Sequence, residues 1–233
     1  MERYNKQIIL PEFGIQGQKL ISSSSVLIIG AGGLGSIVCS YLASMGVGKI
    51  GICDFDRVEE SNLHRQFFYS QCDVNAYKAE VLATKLSLHN PDIKILSITE
   101  KLQRSNVSNL ISDFEIICDC SDNVATRLLI NKSCSSLSKI LIHGAVSDWQ
   151  GYLSVFHYQN KFSLTDLFDT IDFLKSESCD VVGINSPICG IIGSHMANEV
   201  IKVILNIDSV LEGTLLYING LTNISKYLKF KMK

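Results

Sequence analysis

The first half of the chain alternates short apolar runs with longer stretches of helical spacing. Val26, Leu27, Ile28 and Ile29 run unbroken into Gly30, which predicts a strand buried on both faces over residues 26–30. Residues 34–45 follow as a helix entered through glycines, and residues 49–54 as a second strand closing on acidic Asp54. In residues 76–88 the apolar positions Val81, Leu82 and Leu86 recur at helical spacing and stop before the breaker pair Asn90-Pro91. Further strands are predicted at 93–98 and 114–118, and a further helix at 123–137. Strands alternating with helices imply an α/β fold, a Rossmann-like, mainly parallel sheet with helices on both faces.

The second half changes character. Residues 140–145 and 152–158 read as strands, the latter alternating. Residues 159–187 are more polar and weakly periodic, which predicts a lid-like loop. Residues 190–205 read as an apolar helix, and 214–219 and 224–230 as antiparallel strands that continue the sheet. The serines at 22–25 are too few for a linker, and no repeat or composition shift marks a boundary. A single domain over residues 1–233 is expected, with a nucleotide-binding half at about 20–145 and a second half at about 146–233.

Composition sharpens this picture. A hydrophobic content of 46% is enough for one substantial core. The formal net charge of −2 gives no global basic field, so no nucleic-acid partner is expected. The N-terminal stretch Glu2-Arg3-Tyr4-Asn5-Lys6-Gln7 is polar and unlike a secretory signal, and no apolar run approaches the roughly 20 residues of a membrane span. A cytoplasmic protein with no membrane partner is the expectation. The eight cysteines are scattered and include no C-x-x-C pair, which predicts reduced, buried thiols and no structural zinc.

The chemistry starts at Gly30-Ala31-Gly32-Gly33-Leu34-Gly35, a G-x-G-x-x-G match between a strand and a helix. Glycines there let backbone approach phosphates, and the helix N-terminus adds free N–H groups and a positive dipole end. Gly30, Gly32, Gly33 and Gly35 are therefore candidate nucleotide-binding residues. Asp54, at the end of the next strand, is placed to accept hydrogen bonds from ribose hydroxyls, or merely to cap a turn. This much does not separate ATP from NAD. The polar segment Ser61-Asn62-Leu63-His64-Arg65-Gln66 and then Lys78 suit phosphoryl chemistry, where charge on phosphates must be neutralised; a solvated loop is the plain alternative. Asp122 follows a strand at the carboxyl edge, where it can hold Mg²⁺ or act as an N-cap, and the frequency of such caps favours the cap.

Together these segments resemble the ThiF/MoeB/HesA adenylyltransferases, which activate ubiquitin-like sulfur carriers in thiamine and molybdopterin biosynthesis. The matching stretches are Arg3-Tyr4-Asn5-Lys6-Gln7-Ile8, the glycine turn, Asp54-Phe55-Asp56, the 61–66 segment, Lys78, Cys120-Ser121-Asp122-Asn123 and Gly190-Ile191-Ile192-Gly193-Ser194. The resemblance implies ATP-dependent adenylation of a small carrier ending in Gly-Gly, thiamine-type or molybdopterin-type, with release of pyrophosphate. By the same resemblance Gly33 lies against the phosphates and Asp54 holds the ribose. Asn62, Arg65 and Lys78 face the phosphates beside Asn123, and Asp122 binds Mg²⁺, which reverses the preference for a cap. Residues 146–233 become the carrier-facing half.

The resemblance also implies a homodimer in which a residue near the N-terminus reaches the partner's ATP site. That residue aligns with Lys6, Arg3 lying one turn earlier. Cys179 aligns with a cysteine that some relatives use in sulfur transfer, a role that an incidental loop thiol would not have. Cys189, His143 and His195 sit in apolar runs and read as core; His64, inside the phosphate segment, draws more suspicion. The two C-x-x-C pairs of many members are missing together, which predicts a zinc-free branch. Alternatives are adenylation of a peptide or modification of a tRNA base on the same ATP site, an NAD(P)-dependent oxidoreductase, and a non-catalytic scaffold.

Overall fold

The computed structural model describes residues 2–168 and 183–232. Five strands run parallel: β1 (Ser25–Ile29), β2 (Lys49–Cys53), β3 (Lys94–Ile98), β4 (Ile116–Asp119) and β5 (Ile140–Ser147). β6 (Gln150–Phe156), β7 (Thr214–Asn219) and β8 (Ile224–Lys229) then pair antiparallel, each with the strand before it. Among the described residues these strands form one sheet in the order β3-β2-β1-β4-β5-β6-β7-β8. The fold is the expected one: Rossmann-like and mainly parallel, with antiparallel C-terminal strands.

The helices are α1 (Asn5–Ile8), α2 (Gly14–Ser23), α3 (Gly33–Met45), α4 (Lys78–His89), α5 (Val107–Ser112), α6 (Val124–Ser136), α7 (Leu164–Phe168) and α8 (Ser186–Ile204). Their placement explains the unbroken apolar run of β1. Val26 and Ile28 pack into a core with Leu34 and Leu42 of α3, Leu82 of α4 and Met196 of α8. Leu27 and Ile29 point to the opposite face, into a core with Val107 and Ile111 of α5, Ile130 of α6 and Leu164 of α7. Both faces are dry, so a strand alternating with polar residues would not fit.

β1 lies between β2 and β4, and the chain leaves it towards β2 while β4 lies on its other side. That reversal opens a crevice beyond the carboxyl ends of β1 and β4, where doubly wound sheets bind ligands. The glycine turn leaves β1 there and residues 120–123 leave β4 there.

Several boundaries differ from expectation. α2 was not legible because two glycines and a serine run lower its helical propensity; its packing on the core through buried Gln18 and Ile21 compensates. α5 has six residues, too few to show a period. β5 and β6 extend to Ser147 and from Gln150 and join through Asp148, which takes a left-handed φ of 54°. The expected loop at 159–187 contains α7 and the first residues of α8; its middle lies outside the described residues.

Candidate active site

The glycine turn is shaped by contacts that exclude side chains. Gly30 has a φ of +95°, and a Cβ there would stand 2.7 Å from the Cys120 carbonyl oxygen. A Cβ on Gly35 would stand 1.8 Å from the Gly30 carbonyl oxygen, so α3 can start directly beneath the end of β1 only with glycine. A Cβ on Gly33 would meet Cys189 Sγ at 2.8 Å and the Arg65 carbonyl at 3.4 Å. Gly32 differs: the nearest atom to its missing Cβ is Gln66 Nε2 at 3.5 Å. The N-cap residue is Gly32, which brings no side-chain acceptor to the first N–H groups of α3 and leaves them to an anion.

Asp54 holds this turn from the side of β2. Its Oδ2 accepts the Ala31 N–H at 2.6 Å and its Oδ1 accepts the Asp56 N–H at 2.8 Å. Burial pushes its carboxyl pKa up, while the Ala31 N–H, the Lys78 ammonium and the Asp56 N–H act to lower it. Lys78 opens α4, is buried, and lies 3.4 Å from Asp56 Oδ2. That contact is loose and Asp56 is half exposed, so the ammonium is not tied down strongly. Tyr69 fastens the two parts together, its hydroxyl donating to the Ala31 carbonyl at 2.7 Å.

In the 61–66 segment, the Arg65 guanidinium donates through Nη1 to the Ser61 carbonyl at 3.1 Å and lies 2.8 Å from His64 Nε2. Its Nε and Nη2 have no partner among the described residues. Asn62 is buried and its Oδ1 accepts the Glu59 N–H at 3.4 Å, bracing its own turn. Gln66 is 3% exposed, and its Oε1 is buried with no hydrogen-bond partner among the described residues.

On the β4 side, Asn123 caps α6 by accepting the Thr126 N–H at 2.9 Å. The N-cap considered for Asp122 therefore belongs to Asn123, one residue on, because α6 begins at Val124. Asp122 is exposed and its Oδ1 accepts from Asn123 Nδ2 at 3.3 Å. The loop beneath is fixed by Asp119 and by Arg127, which donates to the Ser121 carbonyl.

The structure thus places the glycine turn, Asp54 and the loop before Asp122 together at the carboxyl ends of the strands, with Lys78 beside Asp56 and the Arg65 backbone beside Gly33. It does not bring Lys6 there. Gln7 donates to the Met45 carbonyl, at the end of α3 opposite the turn, and Arg3 donates to the His89 carbonyl at the far end of α4. A helix of 13 residues spans roughly 20 Å, beyond a lysine side chain's reach. Cys179 lies outside the described residues. Cys39, Cys53, Cys118, Cys134 and Cys189 are buried, but Cys72 is exposed, unlike the expectation of buried thiols. Burial pushes the Cys53 thiol up to about 12, as expected for an unreactive core thiol.

Sequence reading missed Tyr69, Gln66, Asp119 and Arg127. Gln66 adjoins Arg65 in the matched segment, which was the available signal; the others gave none.

With its polar residues collected at the switch point of a 3-2-1-4-5 sheet, the chain falls in the doubly wound α/β class. Residues 4–233 match the ThiF family, and the chain belongs to that family. It is 38% identical over 233 residues to the adenylyltransferase and sulfurtransferase MOCS3 of Caenorhabditis briggsae, covering 99% of this chain and 58% of that protein. A probable molybdopterin-synthase adenylyltransferase of Porphyra purpurea is 38% identical over 232 residues, covering 99% of this chain and 60% of that one. The chain spans roughly three-fifths of the length of these curated relatives. Among solved structures, E. coli MccB with ATP superposes with a TM-score of 0.85 at 20% identity, covering 100% of this chain and 73% of that one. The microcin C7 biosynthetic enzyme MccB with N-formylated MccA gives 0.86 at 20% identity, covering 99% and 73%. At such identity the likeness is one of fold.

Proposed function

We propose that this chain adenylates the C-terminal glycine carboxylate of a small ubiquitin-like sulfur carrier, using ATP and releasing pyrophosphate. The observation that carries this reading is the open backbone at Gly32 where α3 begins, with the Arg65 backbone against Gly33 and the buried Lys78 ammonium close enough to act on Asp54. A nicotinamide site on the same turn has less need of Arg65, Lys78 and Asp122 together than phosphoryl transfer has. The relatives named adenylyltransferases support the same reaction.

The residues fit the nucleotide. Gly32 and Gly33 and the uncapped start of α3 would face phosphates, with Asp54 near the ribose. Asn62 and Asn123 would complete the site. Buried Lys78 and the unpartnered Nε and Nη2 of Arg65 would neutralise the α-phosphate and the leaving pyrophosphate. Asp122, exposed and weakly engaged, would hold Mg²⁺ through one carboxylate and waters. Magnesium would supply charge neutralisation between phosphate oxygens. The carrier's carboxylate is ionised at neutral pH, so an oxygen bonds to the α-phosphorus, the bond to the bridging oxygen breaks, and no proton moves. Rate enhancement then rests on positioning and on charge.

A homodimer fits this reading. Lys6 is exposed and too far from its own chain's turn, while Ile9, Leu10, Ile15 and Leu20 expose apolar surface on the same N-terminal segment. The carrier, thiamine-type or molybdopterin-type, would meet residues 146–233.

The test is ATP–pyrophosphate exchange against a panel of carriers ending in Gly-Gly. Arg65→Ala and Asp122→Ala should each lower exchange by about 100-fold or more while the protein stays folded. Wild-type-like exchange in both variants would sink the assignment, and exchange with a peptide but no carrier would redirect it to peptide adenylation.

A further inference from the structure

Behind the Asp122 loop lies a buried pair of ionisable groups. Asp119 ends β4 and His143 stands opposite it in β5; both side chains are 0% exposed. His143 Nδ1 is 2.8 Å from Asp119 Oδ2. The other carboxylate oxygen accepts the Ser121 N–H at 3.0 Å and the Ser121 hydroxyl at 2.6 Å. From the other side Arg127, itself 8% exposed, donates Nε and Nη2 to the Ser121 carbonyl at 3.3 and 3.1 Å. Every polar group of Ser121 is therefore held, and the next residue is Asp122.

The protonation state follows from what the ring lacks. His143 Nε2 is buried without a partner among the described residues. An imidazolium would bury an unpaired N–H there as well as a charge, which is costlier than an unpaired lone pair. The neutral ring with its proton on Nδ1 is the state that satisfies Asp119. Burial acts the same way, lowering the His143 pKa against the pull of Asp119. Burial alone would raise the Asp119 carboxyl, but His143, Arg127 and Ser121 hold it below the ordinary range.

We propose that His143 is a positioning residue for adenylation: its Nδ1–H fixes the Asp119 carboxylate, and so the loop that presents Asp122. With Nε2 sealed in the core, the ring touches neither ATP nor carrier. Without that donor, Asp119 becomes a buried carboxylate with one oxygen unmatched, free to release Ser121. The inference rests on the reading of Asp122 as the residue facing magnesium and phosphates.

The comparison that tests it is His143→Asn against His143→Gln. Asparagine offers an N–H near the place of Nδ1, whereas glutamine extends its amide towards the place of Nε2. The asparagine variant should keep KM for Mg·ATP within about 3-fold of wild type, and the glutamine variant should raise it about 10-fold or more, with kcat changed far less. Without nucleotide, amide exchange at Ser121 and Asp122 should quicken in the glutamine variant alone, while β1 amides stay protected as in wild type. A wild-type ¹⁵N spectrum should show a neutral His143 ring with Nδ1 protonated. The opposite tautomer, equal behaviour of the two variants, or exchange quickened in β1 as well would each overturn the proposal in favour of plain core packing. Should the glutamine variant fail to fold, the wild-type tautomer and the asparagine variant still decide. If Asp122→Ala leaves pyrophosphate exchange intact, the functional reading falls whatever His143 does. If Asp122→Ala abolishes exchange while His143→Gln leaves KM unchanged, only this inference falls.

Discussion

Asn123, and not Asp122, caps α6 by accepting the Thr126 N–H, and that one-residue division of labour leaves Asp122 exposed, its carboxylate touched by Asn123 Nδ2 at 3.3 Å. Individual side chains also decide what the cysteines can do. A carrier carboxylate attacking ATP needs no thiol, so Cys179→Ala should leave pyrophosphate exchange within about 2-fold of wild type and at most impair a later sulfur step, read by mass spectrometry of the carrier. Loss of exchange itself would assign Cys179 to adenylation. Arg65, Lys78 and Asp122 could be picked out as candidates because they sit in short matched segments. Asp119, His143 and Arg127 were not, since their partnership joins β4, β5 and α6 and no spacing along the chain connects them. His143 read correctly as core, yet burial concealed that it carries a directed hydrogen bond. Tyr69 was hidden the same way, its partner Ala31 being 38 positions away.

At the scale of elements, the two ends of the glycine motif serve different needs. Gly35→Ala would drive a methyl group to 1.8 Å from the Gly30 carbonyl, so α3 must move away from β1. A cost of about 2 kcal/mol or more is expected, visible as a lower denaturant midpoint. Gly32→Ala meets nothing closer than the end of Gln66 at 3.5 Å. It should keep stability within about 0.5 kcal/mol while weakening ATP binding, measured by calorimetric titration. An equal stability loss in both variants would show that Gly32, too, is there for packing. The strands were readable because β1, β2 and β4 are buried on both faces and so carry uninterrupted apolar runs. α2 and α5 were not, because their stability comes from packing and not from a period or propensity of their own.

At the scale of the whole molecule, the N-terminal segment raises a question that one copy of the chain cannot answer. Its bonds to Met45 and His89 fasten it to the ends of α3 and α4 that point away from the crevice. Lys6 is exposed there and has no partner among the described residues, so any contribution to ATP must go to a second copy. Lysine in that place brings a single point charge and not a bidentate fork, so the contact would neutralise phosphate charge without orienting it. Subunit mixing separates these possibilities. If the site is shared between two copies, Lys6→Ala would spoil the partner's site and Asp122→Ala would spoil its own. A mixed dimer therefore regains one intact site, made from Asp122 of the first variant and Lys6 of the second. Equal mixing at random should restore roughly a quarter of wild-type exchange from two inactive preparations. Activity of Lys6→Ala on its own would remove Lys6 from the site, and two inactive variants that stay inactive after verified subunit exchange would exclude the shared arrangement.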